Sequence, residues 1–267
     1  MNDIPSAGMS WWDSVLYWLD PLCGKIGLFT WLGEGHLLSC GDTGWGDELA
    51  SGVLITVTLA IATLPVGVIL GFLIALAMRS QEKSLRLAAG IYTTIFRGLP
   101  ELLTLFIIYY GAQILVQSLL ASFGYDQGVE INAFVAGMVA LGVVNSSYFS
   151  EVIYAAMQAI PNGQFEASAS LGLSRARTYR LVIIPQLVRI ALPGATNLWM
   201  ILLKDTSYVS IVGLAELLRQ TSVAVRVTKQ AFFFYSIACL IYLVLAVLSS
   251  FALRYIENWA KRSEISR

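Results

Sequence analysis

Long apolar stretches, parted by short charged runs, set the pattern of this chain. The first runs from about Ser51 to Met78, entered past Asp47 and Glu48 and left at Arg79, Lys83 and Arg86. A second begins near Leu85, is interrupted at Arg97-Gly98-Leu99-Pro100, and continues from Leu102 to about Leu120. The third, about Asn132 to Met157, is polar in its second half, where Asn145, Ser146, Ser147, Ser150 and Glu151 gather. The fourth, about Leu187 to Tyr208, carries Arg189, Pro193, Lys204 and Asp205, and the fifth runs from about Ala231 to Tyr255. Set against the ~20 residues that a helix needs to cross the hydrocarbon of a bilayer, this pattern predicts an all-α, polytopic membrane protein with five transmembrane helices.

The connection between the third and fourth stretches, Pro161 to Pro193, is mostly polar and small. Pro161 lacks an amide donor and breaks the incoming helix, and Asn162-Gly163 supplies a turn. A short helix is expected from Gln164 to about Leu171. Gly172 then takes the position just past its end, where a left-handed residue costs least. Ser174 is placed to cap the next helix, whose start carries Arg175, Arg177 and Arg180. A compact helical elbow outside the bilayer implies a partner to press against.

Ahead of the spans, residues 1–48 form a segment of their own; 51–255 is the membrane domain and 256–267 a tail. The N-terminal segment holds five of the seven tryptophans, with seven acids and one lysine. Its apolar run from Val15 to Leu32 is cut by Asp20, Pro21 and Lys25. Because tryptophan prefers the headgroup level, an interface-lying segment is expected, with an additional span as the alternative. Asp3 and the lack of a basic start disfavour a cleaved signal peptide. The connection from Phe123 to Ile131 carries Asp126 and Glu130 and no base.

Charge sets the orientation. Ten Lys and Arg fall on the side of the 79–86 loop, the elbow and the tail, against four on the other side, so a net charge of zero hides an uneven distribution. The bias puts the N-terminus outside and the elbow and C-terminus in the cytoplasm. Cys23 and Cys40 then both lie outside, free to form a disulfide or to remain unpaired, while Cys239 falls inside the fifth span as packing.

A hydrophobic fraction of 57% and a mean hydropathy of +0.71 agree with an integral membrane protein. No Walker A pattern occurs, so nucleotide hydrolysis by that route is excluded. The single His36 and three cysteines lack the spacing of a metal site, and no nucleophile-elbow motif is present. A non-catalytic role is expected, with no metal and no nucleic acid.

The elbow reads Glu166-Ala167-Ser168, Gly172, then Val182-x-Ile184-Pro185. It resembles the cytoplasmic coupling loop of permease subunits of type I ATP-binding-cassette importers, which reads Glu-Ala-Ala, three residues, Gly, nine residues, Ile-x-Leu-Pro. Three further runs resemble the polar amino acid family of these permeases: Phe96 to Pro100 ending in Tyr109-Tyr110-Gly111, Ala159 to Gln164, and Leu203-Lys204-Asp205-Thr206-Ser207. Glu101, directly after Arg97-Gly98-Leu99-Pro100, is similar to the histidine, lysine/arginine/ornithine and opine permease branch. The family's Glu-x-x-Arg-Gly in the third helix is here Glu151-Val152-Ile153-Tyr154-Ala155.

The resemblance implies a permease subunit of an ATP-driven importer that moves a polar, basic amino acid or an opine across the bacterial inner membrane. Its implied partners are a periplasmic solute-binding protein, a second and different permease chain, membrane lipid, and an ATPase dimer. The ATP and magnesium sit on that dimer and no cofactor on this chain. Closure of the ATPases reaches the spans through the elbow. Within it Phe165 is expected as an apolar knob, Glu166, Ala167 and Ser168 as contact residues, and Gly172 as the residue that sets the exit angle.

Six charges fall in or beside the spans: Arg97, Glu101, Glu151, Arg189, Lys204 and Asp205. Each costs about 2.5–3.5 kcal/mol at the centre of a lone helix, so each calls for a partner, a cavity or an interface. Arg97 and Glu101 are four apart and can pair across the Pro100 break, whereas Lys204 and Asp205 are adjacent and point in different directions. Glu151 has no base near it in sequence. Glu101, Asn145, Glu151 and Asp205 are the candidates for a polar substrate path that favours an extra positive charge; the competing reading is a charge network that only fixes helix packing. An ion-coupled secondary amino acid transporter is the alternative function. Such folds show discontinuous spans at matched positions in two halves, which five spans do not supply within one chain, and they leave the elbow without a purpose.

Overall fold

A computed structural model of the chain describes residues 22–23, 29, 37–40, 44–123 and 131–265, without the side chains of 259 and 261–265. Helices and their connections make up all of it, with no strand among the described residues. The helices are α1 (Gly46–Met78), α2 (Lys83–Gly98), α3 (Glu101–Ser122), α4 (Ala133–Ala159) and α5 (Gly163–Ser170), then α6 (Arg175–Thr178), α7 (Ile184–Asp205), α8 (Leu217–Thr228) and α9 (Ala231–Ile265). A π-helical turn, Tyr179–Ile183, joins α6 to α7, and a 3-10 turn, Thr206–Val212, follows α7. Five segments are long and apolar enough to cross a membrane: Gly46–Met78, Glu101–Ser122, Ala133–Ala159, Arg175–Val212 and Ala231–Asn258.

The second apolar stretch is two helices. Leu99 takes an extended conformation (φ −85°, ψ 146°) ahead of Pro100, as the clash of a proline ring with the preceding residue requires. Only α3 is long and apolar enough to span; α2 is amphipathic, with Ala89 and Thr93 buried and Leu87, Ile91 and Ile95 exposed.

By compactness the chain divides into two units, Met1–Val57 with Ala215–Cys239 and Thr58–Leu214 with Leu240–Arg267. In the larger unit, α1 and α4 meet with almost no space between their backbones. A Cβ on Gly71 would stand 2.7 Å from Phe149 Cβ, and one on Gly142 would stand 2.6 Å from Val66 Cγ1. Small residues at a helix crossing permit this close approach, which is how helices gain contact energy where lipid offers no hydrophobic drive. Around the crossing, Ala75, Phe149, Ile153, Met157, Ile183 and Leu187 are buried in one core.

The polar half of α4 is satisfied largely by its own helix. Ser146, Ser147 and Ser150 donate to the carbonyls three residues back at 2.7 Å, and Asn145 Nδ2 donates to Leu141 at 3.1 Å. Serine and asparagine at helical interior positions return their hydrogen bonds to the backbone this way.

In the smaller unit, Cys23 and Cys40 form a disulfide, with their Cα atoms 5.8 Å apart, which decides a pairing the sequence left open. Backbone bonds from Trp45 N–H to Leu37 O (3.0 Å) and from Gly46 N–H to Ser39 O (3.1 Å) tie the residues just before Cys40 to the start of α1. The connection 209–230, expected to be a loop, contains α8. Glu216 caps it by accepting from Leu218 N–H (3.0 Å) and Arg219 N–H (2.8 Å), while Leu217, Thr221 and Ala224 bury one face at helical spacing. Cys239, expected to pack inside the fifth span, is exposed on α9. The interface-lying run 15–32 and the acids Asp126 and Glu130 fall largely or wholly outside the described residues.

Candidate functional site

The elbow is built as a stiff, short element with a defined stop. Helix α4 ends at Ala159, one residue before Ile160-Pro161, and α5 starts as Asn162 O accepts from Phe165 N–H (2.9 Å) and Glu166 N–H (3.2 Å). Its exit closes through Gly172 at φ +71°. Gly172 N–H reaches Ala169 O at 2.9 Å and Leu173 N–H reaches Ser168 O at 3.1 Å, the paired bonds that a left-handed residue permits. Ser174 holds the N-cap position of α6, but its side chain makes no capping hydrogen bond; its carbonyl instead accepts from Thr178 N–H at 2.9 Å.

Which face of α5 is offered outward differs from expectation. Glu166, Ala167 and Ala169 are exposed, but Phe165 turns inward, packed on the main core with its ring 5.9 Å from that of Tyr179. Ser168 is buried too, its hydroxyl returned to Gln164 O at 2.7 Å. The aromatic ring removes more apolar surface from water by closing the elbow onto its own protein, so the knob expected at Phe165 is not presented. The large apolar side chain that does stand out is Leu171, 79% exposed. Its signal in the sequence was position: it lies four residues after Ala167, on the same face of the helix.

The intramembrane charges assemble differently from the sequence pairing. Arg97 Nη1 meets Glu151 Oε1 at 3.0 Å rather than Glu101, because the extended Leu99 breaks the helical register that would place residues 97 and 101 on one face. Glu151, which has no base near it in sequence, thus finds one in space. Tyr148, which sequence reasoning did not single out, joins the group: its hydroxyl donates to Glu101 Oε1 at 3.0 Å, and Arg97 lies 5.9 Å from its ring centre. Asp205 is buried while Lys204 beside it is exposed, as adjacent helical positions dictate. Among the described residues no Lys or Arg forms an ion pair with Glu101 or Asp205. Asn145 stands apart from the group, 1% exposed with no partner for its Oδ1 among the described residues, and lies against α1 at Gly67.

A family model described as "binding-protein-dependent transport system inner membrane component" matches residues 67–262. The nopaline transport system permease protein of Agrobacterium fabrum is 43% identical over 227 residues, 85% of this chain and 96% of that protein. The histidine/lysine/arginine/ornithine transport system permease protein of Salmonella typhimurium is 35% identical over 215 residues, 80% of this chain and 94% of that one. Among solved structures, a crystal structure of an amino acid ABC transporter with histidines aligns with a TM-score of 0.67 at 36% identity, covering 80% of this chain and 94% of the other. The disulfide-stapled segment precedes the matched residues 67–262. An all-helical fold with five candidate spans, an exposed elbow with a glycine stop, and a family match over most of the chain converge: the protein belongs to the binding-protein-dependent transport system inner membrane components, and is a non-catalytic, multi-pass permease subunit of an ABC importer.

Proposed function

We propose that this chain forms half of the translocation path of an importer for a basic amino acid or an opine in a bacterial inner membrane. Its elbow is the part on which a separate ATPase pushes. The substrate class follows the names of the relatives, which transport nopaline and histidine, lysine, arginine or ornithine. It fits the charge group: Arg97 pairs with Glu151, whereas Glu101 and Asp205 form no ion pair among the described residues, and a cationic substrate would supply one. Substrate arrives from an external binding protein, and the second permease is a homologous, different chain.

The observation that carries the coupling role is the elbow. An isolated helix of about two turns is marginal in water, yet α5 is closed at its far end by Gly172 and anchored by Phe165 and Ser168 while its other face stays exposed. Such a helix moves as a unit when pressed. Orientation has two supports: the Lys and Arg bias, and the Cys23–Cys40 disulfide, which belongs on an oxidising side. Magnesium and ATP sit on the ATPase, and this chain supplies no hydrolytic group.

The test is reconstitution of the assembled transporter in proteoliposomes with its ATPase, binding protein and radiolabelled arginine. Glu166→Lys is expected to leave the complex assembled and ATP turnover measurable while uptake falls at least tenfold. Full uptake by that variant would refute the coupling role. Uptake of arginine by Glu101→Gln at the wild-type KM would remove Glu101 from the path.

A further inference from the structure

The end of α4 carries a vacancy created by the same proline that starts the elbow. In a continuing helix Met157 O would accept from the N–H of residue 161, but residue 161 is proline and has none. The missing donor comes from a different helix: Arg79 Nη1, just past the last residue of α1, reaches Met157 O at 3.4 Å. The same guanidinium lies over the Phe165 ring, 5.2 Å from its centre. Phe165 in turn meets Tyr179, the first residue of the π-helical turn that leads into α7. Arg79 is partly buried, and no acidic residue forms an ion pair with it among the described residues, so these two contacts are what hold its side chain.

From this geometry we infer that Arg79 is a positioning residue for coupling: it joins the first span to the elbow at two points, the Met157 carbonyl in the last turn of α4 and the inward ring of Phe165 on α5. The inference rests on the elbow being the part that receives the ATPase's movement. A push on α5 displaces Phe165, and through Arg79 the displacement reaches α1 as well as α7. Arginine suits the place because its planar fork stacks on a ring while still donating sideways to a carbonyl, which a lysine ammonium on a flexible stem does not reproduce. A π-helical turn next to the contact adds a segment whose backbone register is already irregular, the kind of element found where helices bend in function.

The assay compares substrate moved per ATP hydrolysed in the reconstituted transporter for wild type, Arg79→Gln, Arg79→Lys, Phe165→Leu and the double variant Arg79→Gln/Phe165→Leu. Arg86→Gln, on an exposed neighbour, is the control. Arg79→Gln is expected to assemble with the ATPase and hydrolyse ATP, yet to move about tenfold less substrate per ATP, a loss equivalent to ~1.4 kcal/mol of coupling. Arg79→Lys recovers only part of the ratio, and the double variant is no worse than the more severe single, because both remove one link. An unchanged ratio in Arg79→Gln overturns the inference. A fall in yield or thermal stability with the ratio unchanged also overturns it, since that is a structural role alone. Phe165→Leu keeps an apolar side chain in the core, so it reports on the stacked contact even where Arg79→Gln fails to accumulate. Glu166→Lys separates the two claims. If it stays fully coupled, the elbow reading itself fails; if it uncouples while Arg79→Gln does not, only the role of Arg79 falls.

Discussion

Replacing Glu216 by alanine should loosen α8 from its N-terminal end. In the structure Glu216 is fully buried and accepts from Leu218 N–H at 3.0 Å and Arg219 N–H at 2.8 Å. Thr56 of α1 completes the notch, donating to Glu216 Oε2 at 3.5 Å and accepting from Leu217 N–H at 3.2 Å, while Gly52, one turn earlier, leaves room for the Leu217 backbone. Loss of an N-cap costs typically ~1 and up to ~2 kcal/mol. The upper figure applies here because two amides lose their side-chain acceptor in a site that water enters poorly. A local opening free energy lower by about 2 kcal/mol raises hydrogen exchange of the first-turn amides of α8 about thirty-fold. Amides near Val225 to Thr228, at the far end of the helix, should change much less. Glu216→Gln keeps an acceptor and should fall between. The assay is hydrogen–deuterium exchange with mass spectrometry on the full chain in lipid nanodiscs, with thermal stability as the check on global folding. Wild-type protection at residues 218–220 in a folded Glu216→Ala protein would refute the reasoning.

Three further outcomes follow from the packing. Gly71→Val places a Cβ 2.7 Å from Phe149 Cβ in wild-type geometry, so it should destabilise by ~1–3 kcal/mol, read as a lower thermal midpoint in detergent; an unchanged midpoint would mean that the α1–α4 crossing yields freely. Cys23→Ser opens a loop whose ends are 17 residues apart, worth ~3 kcal/mol by loop entropy, and should speed proteolysis within residues 22–40. An unreduced sample in which alkylating reagent labels both cysteines would contradict the disulfide. The Arg97–Glu151 pair is half-exposed on both sides, so its contribution to stability should stay within ~1 kcal/mol, yet reversing either charge should depress uptake and reversing both should restore part of it; no recovery in the double reversal would show that the two side chains act separately.

Much of this protein was legible along the chain because the physics involved is local or one-dimensional. A span declares itself by the length of its apolar run, since a bilayer has a fixed thickness. The stop of the elbow was readable at Gly172, since a left-handed turn needs a residue without a Cβ. Even α8 had a local signal, in Glu216 followed by buried positions at helical spacing, although its charges masked it. The motif from Glu166 to Pro185 reached the family directly.

What only the tertiary structure decided was which side chains meet. Arg97 pairs with Glu151, 54 residues away, and not with Glu101, because one extended residue at Leu99 turns the two neighbours apart. Phe165 faces inward because Tyr179 and the buried core give its ring a better place than water, and Arg79 reaches Met157 O because helix α1 ends beside a carbonyl that Pro161 leaves without a donor. Ser146, Ser147 and Ser150, which crowd the third span with polar groups, return their hydroxyls to their own helix. Pattern along a chain reports what each segment can tolerate around it; the partner it finds is set by the crossing of helices, which depends on contacts between residues far apart in sequence.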